Sequence, residues 1–105
     1  MKPLLLRQLA VRDIEEAVAH YQDEAPERVT LAFVDALEHA FGHVSRNPAS
    51  GSPRYAHELR LPGLRAWPIK GFPFLVFYVE QDQHLDVWRV LHAQRDIPAW
   101  MSNDD

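Results

Sequence analysis

Cysteine is absent from this 105-residue chain. That absence excludes disulfide stapling, thiolate nucleophiles and thiolate metal sites. No basic start followed by an apolar run suggests a secretory leader, since "LLLRQLAV" is short and already interrupted by Arg7. No apolar run approaches the length of a membrane span, so a cytoplasmic protein without membrane contact is expected. Internal repeats and low-complexity tracts are missing as well. An excess of basic charge is also lacking. The net charge is −4, which argues against a general nucleic-acid coat.

What remains is the composition of an ordinary folded domain, with 47% hydrophobic and 25% charged residues. A chain of this length accommodates one domain with one core, spanning residues 1–105. Charge is unevenly spread. Residues 1–44 hold four basic and eight acidic side chains, and residues 80–105 hold two basic and six acidic. Between them, residues 45–79 carry Arg46, Arg54, Arg60, Arg65 and Lys70 against Glu58 alone. The middle block therefore leaves room for a local basic patch.

The pattern along the chain predicts β-α-α-β-β-β. "KPLLLRQLA" reads as a short opening strand. In "RDIEEAVAHYQDE", Ile14, Ala17, Val18 and Tyr21 recur at helical spacing. Asp13 followed by Glu16 looks like the capping box of that helix. Ala25-Pro26 breaks it and opens a second helix to Ser45, with Val29, Phe33, Leu37, Ala40, Phe41 and Val44 on its apolar side. Phe33 and Phe41 are expected in the core. Arg28, Asp35, Glu38 and His39 occupy the other face. "RNPASGSP" is loop. "ELRLPGLRAWPI", broken by Pro62, Gly63 and Pro68, is expected as one bent edge strand or two short ones. "FPFLVFYVE" is apolar on both faces and marks a central strand. "QDQ" turns the chain into "HLDVWRVLH", completing an antiparallel hairpin. The fold class is thus α+β, a helical hairpin on a three-stranded antiparallel meander, with the insertion point of the first strand left open. The aromatics Trp67, Phe72, Phe74, Phe77, Tyr78 and Trp88 are expected beneath the hairpin.

The end of the last strand raises a functional question. The apolar pattern stops at His92, so the residues beyond need not be buried for folding. Asp96 stands where a cap is wanted for a short helical segment "IPAWM", with Pro98 in its first turn. Arg95 and Trp100 remain, residue types that protein interfaces favour as anchors. His92, Arg95 and Trp100 are therefore the candidate target-binding residues. By strand parity Trp88, Val90 and His92 share one face and Arg89 the other, so Arg89 and His92 are not expected to converge. His39 and His43 lie one helical turn apart, a usable spacing for two metal ligands, but nothing places a third beside them. No metal and no cofactor is expected.

The ordered set of features resembles the ParE branch of the ParE/RelE toxins of type II toxin–antitoxin systems, the plasmid-stabilisation type. The features are Pro48 and Gly51 after the second helix, Arg60 or Arg65 some way on, Phe77-Tyr78 closing a strand, and Val90, His92, Arg95 and Asp96 at the end of the last strand. The resemblance implies a toxin silenced by a cognate antitoxin, with DNA gyrase as target. The alternative from the RelE branch is an endonuclease that cuts messenger RNA on the ribosome. A second alternative is a toxin fold that has lost its activity. Family toxins are usually basic, and many carry glycine and further basic residues where this chain has Ala93 and Gln94. Direct DNA binding by the toxin alone is therefore not expected. Arg54, Arg60 and Arg65 are the candidate contacts for acidic residues of the antitoxin. A ribonuclease would need a base for the 2′-hydroxyl proton, cations for the phosphorane charge and an acid for the leaving oxygen. Its candidates are Arg60, Arg65, Tyr78, Arg89, His92 and Arg95. The preferred expectation is a protein that binds its target without catalysis.

Overall fold

The computed structural model describes residues 1–101. Asp104 and Asp105, which contribute to the acidic last block, lie outside the described residues. The elements run β1 (Leu4–Leu6), α1 (Gln8–Glu24), α2 (Glu27–Arg46), a 3₁₀ turn (Pro48–Ser50), α3 (Arg54–Leu59), β2 (Leu64–Pro68), β3 (Phe74–Glu80), β4 (Leu85–His92) and α4 (Ile97–Met101). This is the expected α+β plan, with the short C-terminal helix in place. The sheet order is β1-β4-β3-β2. β3 pairs antiparallel with both β2 and β4, which makes it the central strand of the meander. β1 joins the far edge, parallel to β4, with Leu4 opposite Leu85 and Leu6 opposite Val87. A parallel neighbour needs a long crossover, and the helical hairpin supplies part of it.

The first helix starts earlier than the capping pattern suggests. Its apolar stripe begins at Ala10 and continues through Ile14, Ala17 and Tyr21, so the helix takes in Gln8 and the opening strand shrinks to three residues. Asp13 is therefore not a cap. It sits on the buried stripe of α1, 7% exposed. The expected edge strand, residues 58–69, shortens to Leu64–Pro68, and a helix forms ahead of it that takes in Glu58 and Leu59. Residues Arg54–Leu59 form a helix, with Arg54 Nε donating to Glu58 Oε1 at 3.1 Å across one turn. Tyr55, Ala56 and Leu59 fall at helical spacing and pack on the outer face of the sheet. Arg60 ends the helix in the left-handed conformation, with φ of 55°.

The sheet is thus covered on both faces. Under the α1–α2 hairpin lie Phe33, Leu37, Val44, Val76, Tyr78 and Val90. On the opposite face Leu64, Ala66, Phe77, Leu91 and Ile97 form a second cluster under α3 and α4. Phe77 and Trp88 belong to this second face and not to the hairpin side. Phe33 is completely buried, its ring within 5.2–5.5 Å of Tyr21, Phe72 and Phe74. Phe41 is only half-buried, beside Met1, Pro3 and Leu4.

Strand β4 carries the irregularity that sequence parity could not anticipate. Tyr78 is opposite Val87 and Phe77 opposite Arg89, so Trp88 is an extra residue. Such a bulge reverses the inward and outward alternation beyond it. Val87 and Val90 both face the hairpin, while Trp88 and Leu91 face the other way. Trp88 and Val90 therefore do not share a face, contrary to the parity argument.

Candidate functional site

Two charged residues inside apolar runs find each other across the fold. Arg89 Nε and Nη2 donate to the two carboxylate oxygens of Asp13, each at 2.7 Å. Both side chains are 6% exposed. The backbone N–H of Val90 donates to the same carboxylate at 3.0 Å. The remaining arm, Arg89 Nη1, donates to the carbonyl oxygen of Trp100 at 2.7 Å. A buried bidentate pair with its other polar atoms satisfied is stable, but losing one partner costs about 3–5 kcal/mol because the other charge is stranded. Sequence inspection missed this pair. A signal existed, since Asp13 follows Ala10 and precedes Ala17 on a buried stripe, and Arg89 interrupts "VWRVLH". A charge in such a position needs a partner.

Asp13 lines a cleft of about 170 Å³ between α1 and the end of β4, together with Glu16, His20, Phe74, His92, Arg95 and Trp100 among others. The three candidate target-binding residues therefore come together. His92 is half-buried, its ring edge-on to Phe74 at 5.3 Å. The Gln94 N–H donates to its Nδ1 at 3.0 Å, which leaves the proton of the neutral ring on Nε2. Arg95 is exposed and lays its guanidinium over the Trp100 ring, 4.1 Å from the centroid. Arg89 lies 5.7 Å from the same ring. Both guanidinium groups lie over the Trp100 ring, a cation–π arrangement. Asp96 caps α4, its Oδ1 accepting from the Ala99 N–H at 3.3 Å. Arg89 thus reaches the same corner as His92 after all, but its guanidinium is committed to Asp13 and the Trp100 carbonyl.

The other ribonuclease candidates are scattered. The Tyr78 hydroxyl is buried. It donates to the Pro48 carbonyl at 2.7 Å and accepts from the Gly51 N–H at 3.0 Å. Burial, the largest effect on it, raises its pKa above the ordinary 10.0 of a tyrosine. Arg65 is half-buried and donates to the Gly51 carbonyl at 2.8 Å. Arg60 is exposed at the end of α3. Pro48, Gly51, Tyr78 and Arg65 therefore make one structural lock that ties the loop after α2 to the sheet. Glycine is required there: a Cβ on Gly51 would lie 2.5 Å from the Tyr78 hydroxyl and 2.9 Å from Arg65 Cβ. Of the candidate antitoxin contacts, Arg54 and Arg60 are exposed at the two ends of α3, and Arg65 is part of the lock. The two helix histidines also have separate surroundings. His43 stacks flat on Trp67 at 4.1 Å, while His39 Nδ1 lies 2.9 Å from the Asp35 carbonyl oxygen.

The family model for the ParE toxin of type II toxin–antitoxin systems, parDE, matches residues 4–97. The chain belongs to the ParE toxin family. Among solved structures, the chromosomal ParDE toxin–antitoxin system from P. aeruginosa has the same fold. The TM-score is 0.72 at 18% identity, over 88% of this chain and 96% of that one. No curated protein matches the sequence. Membership of a type II toxin–antitoxin family implies an antitoxin partner for this ParE-family chain. Among the described residues no helix is long and apolar enough to cross a membrane.

Proposed function

We propose that this protein is a ParE toxin that inhibits DNA gyrase in the cytoplasm by binding, and that its cognate antitoxin neutralises it. The observation that carries a binding role is the commitment of its ionisable groups. Arg89, Tyr78 and Arg65, which a ribonuclease would need free, are each engaged in internal hydrogen bonds. Of the ribonuclease candidates only His92 and Arg95 line the cleft, while Arg60, Arg65 and Tyr78 lie elsewhere in the fold. What is presented instead is an arginine stacked on a tryptophan beside a small cleft. Gyrase as the target rests on the family. For the antitoxin, the exposed Arg54 and Arg60 are the contacts proposed for acidic residues, whereas Arg65 is held by the Gly51 carbonyl.

Purified protein is tested for inhibition of gyrase supercoiling and, in parallel, for ribosome-dependent cleavage of messenger RNA. Inhibition of gyrase without cleavage is expected, and Arg95→Ala or Trp100→Ala should raise the inhibitory concentration about tenfold, as for an interface anchor. Cleavage by the wild type with gyrase untouched overturns the proposal in favour of the ribonuclease alternative.

A further inference from the structure

We propose that Asp13 and Arg89 are positioning residues that hold α4 in place and so present Trp100 at the target-facing end. This inference rests on the reading that the His92–Trp100 end meets the target. α4 has five residues, Ile97–Met101, far too few to be helical alone in water. Its position depends on tertiary anchors. At its start Asp96 caps it, and Ile97 is buried in the outer-face cluster that includes Leu91 and Phe77. Near its end the carbonyl groups have no partner within the helix, and Arg89 Nη1 supplies one to Trp100.

The aim of that arm is set from α1. A guanidinium has a fixed planar fork, so occupying Nε and Nη2 with the Asp13 carboxylate fixes where Nη1 points. The Val90 N–H bonded to the same carboxylate fixes Asp13 in turn. The chain of contacts therefore runs from α1 through β4 to the backbone of Trp100, whose ring then meets Arg95. Neither Asp13 nor Arg89 needs to touch the target, both being buried.

The test uses full-length Asp13→Asn, which keeps the shape and loses the charge. Arg89→Lys, which keeps the charge and loses the fork, serves if the first variant does not fold. Amide hydrogen exchange and gyrase inhibition are measured on each, and on Trp100→Ala and the combined variant. Phe33→Leu serves as a comparably destabilised control. Expected are a fall of tenfold or more in protection over residues 97–101 while β3 stays protected, and a similar rise in inhibitory concentration. Adding Trp100→Ala should cause no further rise, and the control should leave both readouts unchanged. The proposal is overturned if α4 keeps its protection, if inhibition persists despite a loosened α4, or if the control loses both to the same extent. If Trp100→Ala itself inhibits like wild type, it is the assignment of the target-facing end that fails, and the positioning role falls with it.

Discussion

Phe33→Ala is the sharpest test of the packed hairpin. The ring is completely buried and makes three aromatic contacts, to Tyr21 at 5.3 Å, Phe72 at 5.2 Å and Phe74 at 5.5 Å. These join α1, α2 and the start of β3, so the space left behind cannot close without moving all three. Removing such a ring costs about 3–5 kcal/mol, the transfer energy of the lost atoms plus the cavity. A domain of this size has about 5–15 kcal/mol of stability in total. At roughly 4–8 °C per kcal/mol, the midpoint of thermal unfolding should fall on the order of 15–30 °C. Phe41→Ala is the comparison. Its ring is half-buried in an open apolar patch, so the loss should be nearer about 1 kcal/mol. Far-UV circular dichroism melts and urea titrations of both variants read the difference. A Phe33→Ala melt within a few degrees of wild type, or a larger effect from Phe41→Ala, would refute the packing described.

Gly51→Ala should destabilise by about 1–3 kcal/mol, because the added methyl collides with Tyr78 and Arg65; an unchanged urea midpoint would mean the lock has slack. Tyr78→Phe should cost about 1–3 kcal/mol by stranding the Gly51 N–H and the Pro48 carbonyl. The same variant has a pH signature. Because the folded-state pKa of Tyr78 is raised above 10.0, its contribution is complete below pH 10 and is lost as pH rises through the folded-state value. Wild type should therefore weaken from about pH 10 upward, and Tyr78→Phe should flatten that alkaline limb. Equal slopes for the two proteins would sink the argument. Asp96→Ala should cost about 0.5–2 kcal/mol through loss of the α4 cap, visible as faster amide exchange at Ala99.

Much of this protein is written in local pattern. The periodic stripes of the two long helices, the Pro-Gly-Ser loop after them, and the two-sided apolarity of Phe74–Glu80 each depend on residues near in sequence, and each element formed as that pattern demands. The order of those elements and the spaced Pro48, Gly51, Tyr78 and His92 to Asp96 were enough to suggest the ParE family. Local signals misled where a tertiary demand outweighed them. Asp13 has a capping spacing with Glu16, yet it is buried because Arg89 waits opposite. Residues 54–59 are too short a run to be helical alone, yet they coil because the outer face of the sheet needs a cover. Trp88 and Val90 share a face on paper, but Trp88 is an extra residue in β4 and the alternation reverses beyond it. The grouping of His92, Arg95 and Trp100 could be guessed from their closeness in the chain. Their joint orientation could not, because it depends on a carboxylate 76 positions away from the arginine it holds. A salt bridge between distant residues exists only once the chain has folded, and no window of neighbouring residues contains it.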